Sequence, residues 1–195
     1  MAKKEFEKII TPKFRVSFPQ VFQPKAAPGS DKEKYGLVML FDKDQDISDL
    51  KDLLKRTVAA KYPDGNIPKC SDGSDFVTPI KVGDTQTYEG YAGTMYCTAN
   101  SMQAPGVLDE TKTPIINPKD FYAGCYAIAT VNAYCWSYMG KHGVSVGLQN
   151  LMKVNDGEPL TGGASAEADF SEIVVPEDEA TPETKVVGDT LSILD

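Results

Sequence analysis

Along residues 13–18, apolar Phe14, Val16 and Phe18 alternate with Lys13, Arg15 and Ser17. A period of two predicts a half-buried strand within a first strand region over residues 9–25. Pro19 and Pro24 follow, and a central, continuous strand is not expected to run through them. Residues 26–34 contain Pro28-Gly29-Ser30 and read as a polar loop. Residues 35–41 are apolar on both faces, which predicts a strand buried between layers. A helical period then takes over. Asp46 is placed to cap the N-terminus, with Asp49 in the first turn. Ile47, Leu50, Leu53, Leu54, Thr57 and Val58 form one face and Asp49, Lys51, Asp52, Lys55 and Arg56 the other, and the helix is expected to stop before Pro63-Asp64-Gly65.

Pro and Gly punctuate residues 62–87, which predicts loop with at most short strands. Residues 88–101, rich in Tyr, Thr and Gly, form a second β region. Residues 105–118 are a connection with room for short strands around Val107 and Ile115. The longest β-prone run is 121–138, followed by a turn over residues 140–143 and a returning strand over 144–154, a hairpin. In that long run the odd positions, from Phe121 through Ala123, Cys125, Ala127, Ala129, Val131 and Ala133 to Cys135, are mostly small and apolar. The even positions include Tyr122, Tyr126, Thr130, Asn132, Tyr134, Trp136 and Tyr138. Side chains alternate across a strand, so one face suits the inside of a narrow barrel and the other gathers rings and hydrogen-bonding groups.

Charge divides the chain in two. The 195 residues carry 20 Lys+Arg and 28 Asp+Glu, a net of −8. The last 30 residues hold nine acids and one base (Lys185), so the whole excess lies there and residues 1–165 are balanced. From about Asp156 the chain is rich in Gly, Ala, Ser and Glu and poor in aromatics, a composition that cannot offset its ordering entropy by burial. The expected organisation is a folded domain over residues 1–161 and an acidic, disordered tail over 162–195. Apolar clusters interrupt the tail at Phe170, at Ile173-Val174-Val175 and at Leu191-Ser192-Ile193-Leu194-Asp195. A tail serving solubility alone does not need them. Phe170, Leu191, Ile193, Leu194 and Asp195 are therefore candidate partner-binding positions, and the acids are candidate competitors for a cationic groove.

The chemistry of catalysis is thinly represented. Cys70, Cys97, Cys125 and Cys135 form no C-x-x-C pair, and His142 is the single histidine, so neither a zinc site nor a Cys-His nucleophile is expected. Asp42, Asp44 and Asp46 lack the Gly and Glu positions of an EF-hand loop. No cofactor, metal or enzymatic activity is anticipated. Stacking chemistry is better supplied. Tyr126, Tyr134, Trp136 and Tyr138, with Tyr96 from the second β region, offer rings on which nucleobases stack, and Lys13, Arg15, Lys25, Lys119 and Lys141 offer charge for phosphates. An aromatic strand face also packs beneath helices, so the pattern leaves both uses open.

Several segments together carry a family likeness: Arg15-Val16-Ser17-Phe18; residues 35–41 and the single helix; Phe121-Tyr122-Ala123-Gly124-Cys125-Tyr126; residues 143–151; and Asn155-Asp156-Gly157-Glu158-Pro159-Leu160 before an acidic tail. In this order, over about residues 9–175, the chain resembles a family of bacteriophage single-stranded DNA-binding proteins. The resemblance implies a mainly β, OB-fold-like Greek-key barrel and binding of single-stranded DNA without strong sequence preference. It also implies a role in phage DNA replication or recombination in the cytoplasm of the infected bacterial host. Many replication-type relatives end in an aromatic residue, whereas this chain ends in Leu194-Asp195. The alternative function is a phage protein–protein interaction module, an adaptor to a replisome or host factor that does not bind DNA.

Overall fold

The computed structural model describes residues 7–26 and 31–160. Its elements are β1 (Lys8–Ile10), β2 (Phe14–Ala26), β3 (Glu33–Asp42), α1 (Ser48–Lys61), β4 (Ile80–Val82), β5 (Thr94–Ser101), β6 (Gly106–Leu108), β7 (Tyr126–Tyr138) and β8 (Lys141–Asn155), with 3-10 turns at Gly83–Thr85 and Pro118–Asp120. The described residues are thus mainly β with one α-helix, as the periodicities predict.

Five strands close on themselves. β2 pairs with β3, β3 with β5, β5 with β8, β8 with β7, and β7 back with β2. Within this ring the β5–β8 pairing is the parallel one. This order is the Greek-key ring of an OB-like barrel. The three-residue strands β1, β4 and β6 add to β7, β5 and β8 respectively.

Alternation sorts the ring into inside and outside. Phe14 and Val16 of β2, Leu37, Met39 and Phe41 of β3, Cys97 and Ala99 of β5, and Val144, Val146 and Leu148 of β8 are buried. From β7 come Ala127, Ala129, Val131 and Ala133, the small face that the sequence assigns to the interior. Helix α1 buries Leu50, Leu53 and Leu54 and packs chiefly on β7. Each such side chain contributes roughly 1.5–3 kcal/mol relative to exposure. Asp46 Oδ1 accepts the Ser48 N–H at 2.9 Å, and Pro63 follows the last turn. Cys97 lies in this core, and burial pushes its thiol up to about 12. Among the described residues no helix is long and apolar enough to cross a membrane, and no group of three or more His, Cys, Asp or Glu is placed to hold a metal.

The β7–β8 hairpin closes through Met139 (φ 46) and Gly140 (φ 74), between the paired Tyr138 and Lys141. Two successive left-handed residues make a type I′ link, whose twist matches that of the strands. Its tip is tied down by residues 70–77: Ser71 N–H donates to the Gly140 carbonyl at 2.8 Å and Val77 N–H to that of His142 at 2.9 Å.

Several expectations shift. The hairpin turn is Met139–Gly140 rather than 140–143, with β8 starting at Lys141. The second β region becomes a strand only at Thr94. The β-prone run 121–138 becomes a strand only from Tyr126, because Gly124 (φ 114) turns the chain and the Cys125 N–H closes on the Tyr122 carbonyl. The loop expected over residues 26–34 is shorter, since β2 reaches Ala26 and β3 begins at Glu33. β2 also runs through both prolines. Beyond Val16, which still exchanges backbone bonds with Gly124 and Cys125, it is paired with β3 alone, and proline is tolerated on such an edge. The cost appears as register shifts between Ser17 and Gln20 and between Gln20 and Lys25.

Candidate nucleic-acid interface

The first of those shifts reverses Phe18. Alternation would send its ring inward after Phe14 and Val16, but φ is 45 and the side chain is 48% exposed. A bulky residue in the left-handed region is strained by about 1–2 kcal/mol. The ring meets Tyr88 edge-on, with centroids 5.1 Å apart and planes at 80°. Tyr88 is itself 55% exposed and leans on buried Tyr91 at 5.5 Å, which touches Tyr96 at 5.3 Å. The Tyr91 hydroxyl lies 3.3 Å from Ser17 Oγ, and Gln86 Nε2 donates to the Tyr96 hydroxyl at 3.2 Å. A ladder of rings rooted in the barrel wall thus supports an exposed aromatic corner.

The loop that carries Tyr88 is anchored at its ends. Asp84 Oδ1 accepts the Gly93 N–H at 2.6 Å and its carboxylate lies 3.5 Å from Lys43, and these contacts, the backbone N–H foremost, hold its carboxyl below the usual range. Gly83 sits so close beneath the Tyr91 carbonyl that a side chain has no room there.

Three hollows on this side adjoin one another. The largest, about 800 Å³, is lined by Phe18, Phe22, Tyr88, Glu89, Tyr122 and Leu160, among others. A second, about 460 Å³, shares Pro19, Phe22 and Pro118 with it and extends to Lys25. A third, about 230 Å³, is lined by Lys13, Arg15, Gly90 and Tyr126. It meets the first at Gly90, where a Cβ would lie 2.6 Å from Leu160 and 3.6 Å from Arg15 Nη1.

Residues 156–160 form a strap over the junction. Arg15 Nη2 donates to the Glu158 carbonyl at 2.7 Å, and Nε to that of Gly124 at 3.4 Å. The Leu160 N–H donates to the Ala123 carbonyl at 2.9 Å. Asp156 clips the strap: its Oδ1 lies 2.6 Å from Lys153 Nζ and accepts from the Tyr122 hydroxyl at 2.9 Å. Lys153 also sits 5.2 Å above the Tyr122 ring. The hydrogen bond from Lys153, and after it the one from Tyr122, lowers the Asp156 carboxyl. A depressed carboxyl contributes stability above the unfolded value near 3.8 and loses it as pH falls through the lower folded value. Asp156→Asn should therefore lower the urea midpoint at pH 7, and the gap from the wild type should close as pH drops below about 3.8; a gap independent of pH would show that the clip is not ionic.

Residues 7–181 match the family model described as Enterobacter phage Enc34, ssDNA-binding protein. The chain belongs to this family. The Enc34-type family placement agrees with a curated relative, protein p50 of Acyrthosiphon pisum secondary endosymbiont phage 1, which is 31% identical over 174 residues covering 85% of this chain and 93% of that one. Among solved structures, the single-stranded DNA-binding protein from bacteriophage Enc34 in complex with ssDNA has a TM-score of 0.64 at 19% identity, covering 79% of this chain and 89% of that one. The gp2.5 single-stranded DNA-binding protein of bacteriophage T7 has a TM-score of 0.55 at 11% identity, covering 91% and 100%. These two likenesses are of fold.

Within this Enc34-type barrel the sequence-derived candidates separate into two groups. Lys13, Arg15 and Tyr126 come together, with Lys13 Nζ 5.4 Å above the Tyr126 ring. Lys25 lines the far end of the groove, Lys119 follows Pro118 beside it, and Tyr96 is the base of the ring ladder. Tyr134, Trp136, Tyr138 and Lys141 lie at the other end of β7, about 26–40 Å along the strand from Tyr126. There Tyr138 is 71% exposed, Lys141 is 3.9 Å from Asp72, and the half-buried Trp136 ring lies over Gly143, where a Cβ would be 2.7 Å from it. The buried indole N–H of Trp136 has no hydrogen-bond partner among the described residues. Phe170, Leu191, Ile193, Leu194 and Asp195 lie outside the described residues. Phe18 and Phe22 were not legible as groove residues from periodicity; the signal was Pro19, which forces a bulge where alternation would otherwise continue.

Proposed function

We propose that this protein binds single-stranded DNA without strong sequence preference, coating exposed strands during phage replication or recombination in the host cytoplasm. The observation that carries this reading is the exposed Phe18–Tyr88 corner, set in a hollow of about 800 Å³ with cations at both ends of the groove. Bases stack on exposed rings for about 1–3 kcal/mol each, whatever their identity. Lys13 and Arg15 at one end and Lys25 and Lys119 at the other offer charge for a phosphate backbone. With about four phosphates neutralised, log K should fall with log salt at a slope of about −3. The family placement supports the same reading, since the relatives whose names state a ligand are single-stranded DNA-binding proteins.

The acidic tail is proposed to compete with DNA for the groove and to recruit replication or recombination proteins through Phe170 and the Leu191, Ile193, Leu194, Asp195 end. The test is a gel shift with labelled single- and double-stranded oligonucleotides, using the full chain and a chain lacking residues 166–195. Single strands should shift preferentially, and more tightly without the tail. A protein that shifts neither strand would instead be an adaptor; equal affinity with and without the tail would remove the competition.

A further inference from the structure

The largest hollow contains a group that a purely nonspecific phosphate-and-ring site does not require. Glu89 sits on its wall beside Tyr88, exposed, and has no hydrogen bond or ion pair among the described residues. A carboxylate there repels phosphates, so the backbone of a bound strand must pass elsewhere, along the cations at the groove's ends. What a carboxylate accepts well is an N–H donor on a base edge. Resting on the proposed single-stranded DNA binding, we infer that this hollow seats one unstacked base against the Phe18–Tyr88 corner with its Watson–Crick edge toward Glu89, favouring bases that carry an exocyclic amino group.

The geometry supports a seat for a base rather than a passing surface contact. Phe18 and Tyr88 present rings at 80° to each other, so a base stacked on one is met by the edge of the second. Tyr122 and Phe22 line the same space, and the volume of about 800 Å³ is within the range of small-ligand sites. Phe18 holds a left-handed conformation to face this hollow, and such strain clusters where a side chain is positioned for a ligand. On that edge cytosine offers Glu89 one N4 hydrogen at its rim, adenine one N6 hydrogen, and guanine N1–H and N2–H side by side. Uracil and thymine offer a single N3–H flanked by two carbonyl oxygens, which a carboxylate opposes.

The cleanest comparison is deoxycytidine against deoxyuridine oligomers, which differ only at the ring's 4-position and in the N3 proton that goes with it. Each is used at about 16 nucleotides, the upper end of what one OB fold covers, at pH 7.5 with the full chain. The expected result is about fivefold or more tighter binding of the cytidine oligomer. In Glu89→Gln, which presents both a donor and an acceptor, the ratio should collapse toward that set by stacking alone, while the uridine oligomer binds as well or better because a repelling charge is gone. An unchanged ratio in Glu89→Gln would overturn the inference and leave single-stranded DNA binding intact. Failure of both oligomers to bind the wild type would overturn the two together. Thermal melts of both proteins, which should superimpose for an exposed side chain, confirm that the ratio reports contact and not folding.

Discussion

Removing both rings of the exposed corner, in Phe18→Ala/Tyr88→Ala, is expected to weaken single-stranded DNA binding about 30-fold or more while leaving the fold intact. Each ring offers stacking worth about 1–3 kcal/mol per base, and the pair forms one site, so the two losses should overlap rather than add fully. Neither ring is part of the buried core: Phe18 is 48% and Tyr88 55% exposed. Fluorescence anisotropy with a labelled oligonucleotide reads the affinity. A companion substitution separates binding from stability. Glycine tolerates φ 45 without strain, so Phe18→Gly should be more stable than Phe18→Ala by about 1 kcal/mol, yet bind equally poorly. Affinity within twofold of wild type in the double variant would move the interface elsewhere on the barrel, with Tyr134 and Tyr138 of the hairpin as the next aromatic face.

Gly124→Ala should produce the largest loss of stability from one methyl group. Gly124 has φ 114, a region that side chains rarely adopt, and an added Cβ would meet the Glu158 carbonyl and lie 2.8 Å from Pro159 Cα. Both obstacles are backbone, so no side-chain rotation relieves them. The strap must move, and with it go the Arg15 bond to Glu158 and the Leu160 bond to Ala123. The expected cost is about 2–4 kcal/mol, or a fall in Tm of roughly 5–15 °C for a domain of this size, read by differential scanning calorimetry. Gly65→Ala is the control: it too has positive φ (72), but nothing lies within 4 Å of the added methyl, so only the smaller conformational penalty applies. Equal losses in the two would mean that the strap does not press on Gly124.

How far the sequence reaches depends on whether local period or distant contact decides a feature. The interior of the barrel was legible, because Phe14, Val16, Ala127, Ala129, Val131 and Ala133 each obey the alternation of their own strand. So was α1, whose leucines repeat at helical spacing and which stops before Pro63. Its N-cap, however, is Ile47, and Asp46, expected to cap it, sits one residue earlier and accepts the Ser48 N–H. The aromatic parity of β7 was legible as a face, but parity carries no information about distance along it. Tyr126 and Tyr138 share that parity and yet lie at opposite ends of a 13-residue strand. What joins Tyr126 to a groove is its pairing with Arg15 of β2, more than a hundred positions earlier. Phe18 and Tyr88 meet for the same kind of reason: a bulge in one segment and an anchored loop in another, neither of which has a period to read. Glu89 was one acid among 28 until the loop placed it on the wall of the hollow.

Closure of the ring bears on how such a molecule behaves in a crowd. The proposed coating of strands would set copies shoulder to shoulder, where any long, naked β edge would invite runaway polymerisation. Here β1, β4 and β6 are only three residues long. Among the described residues, one longer stretch with a single neighbour, the outer half of β2, carries Pro19 and Pro24 and a broken register, so it offers a visiting strand an incomplete row of donors. The same prolines that bend β2 enough to turn Phe18 outward therefore also make that edge a poor template for a neighbouring copy.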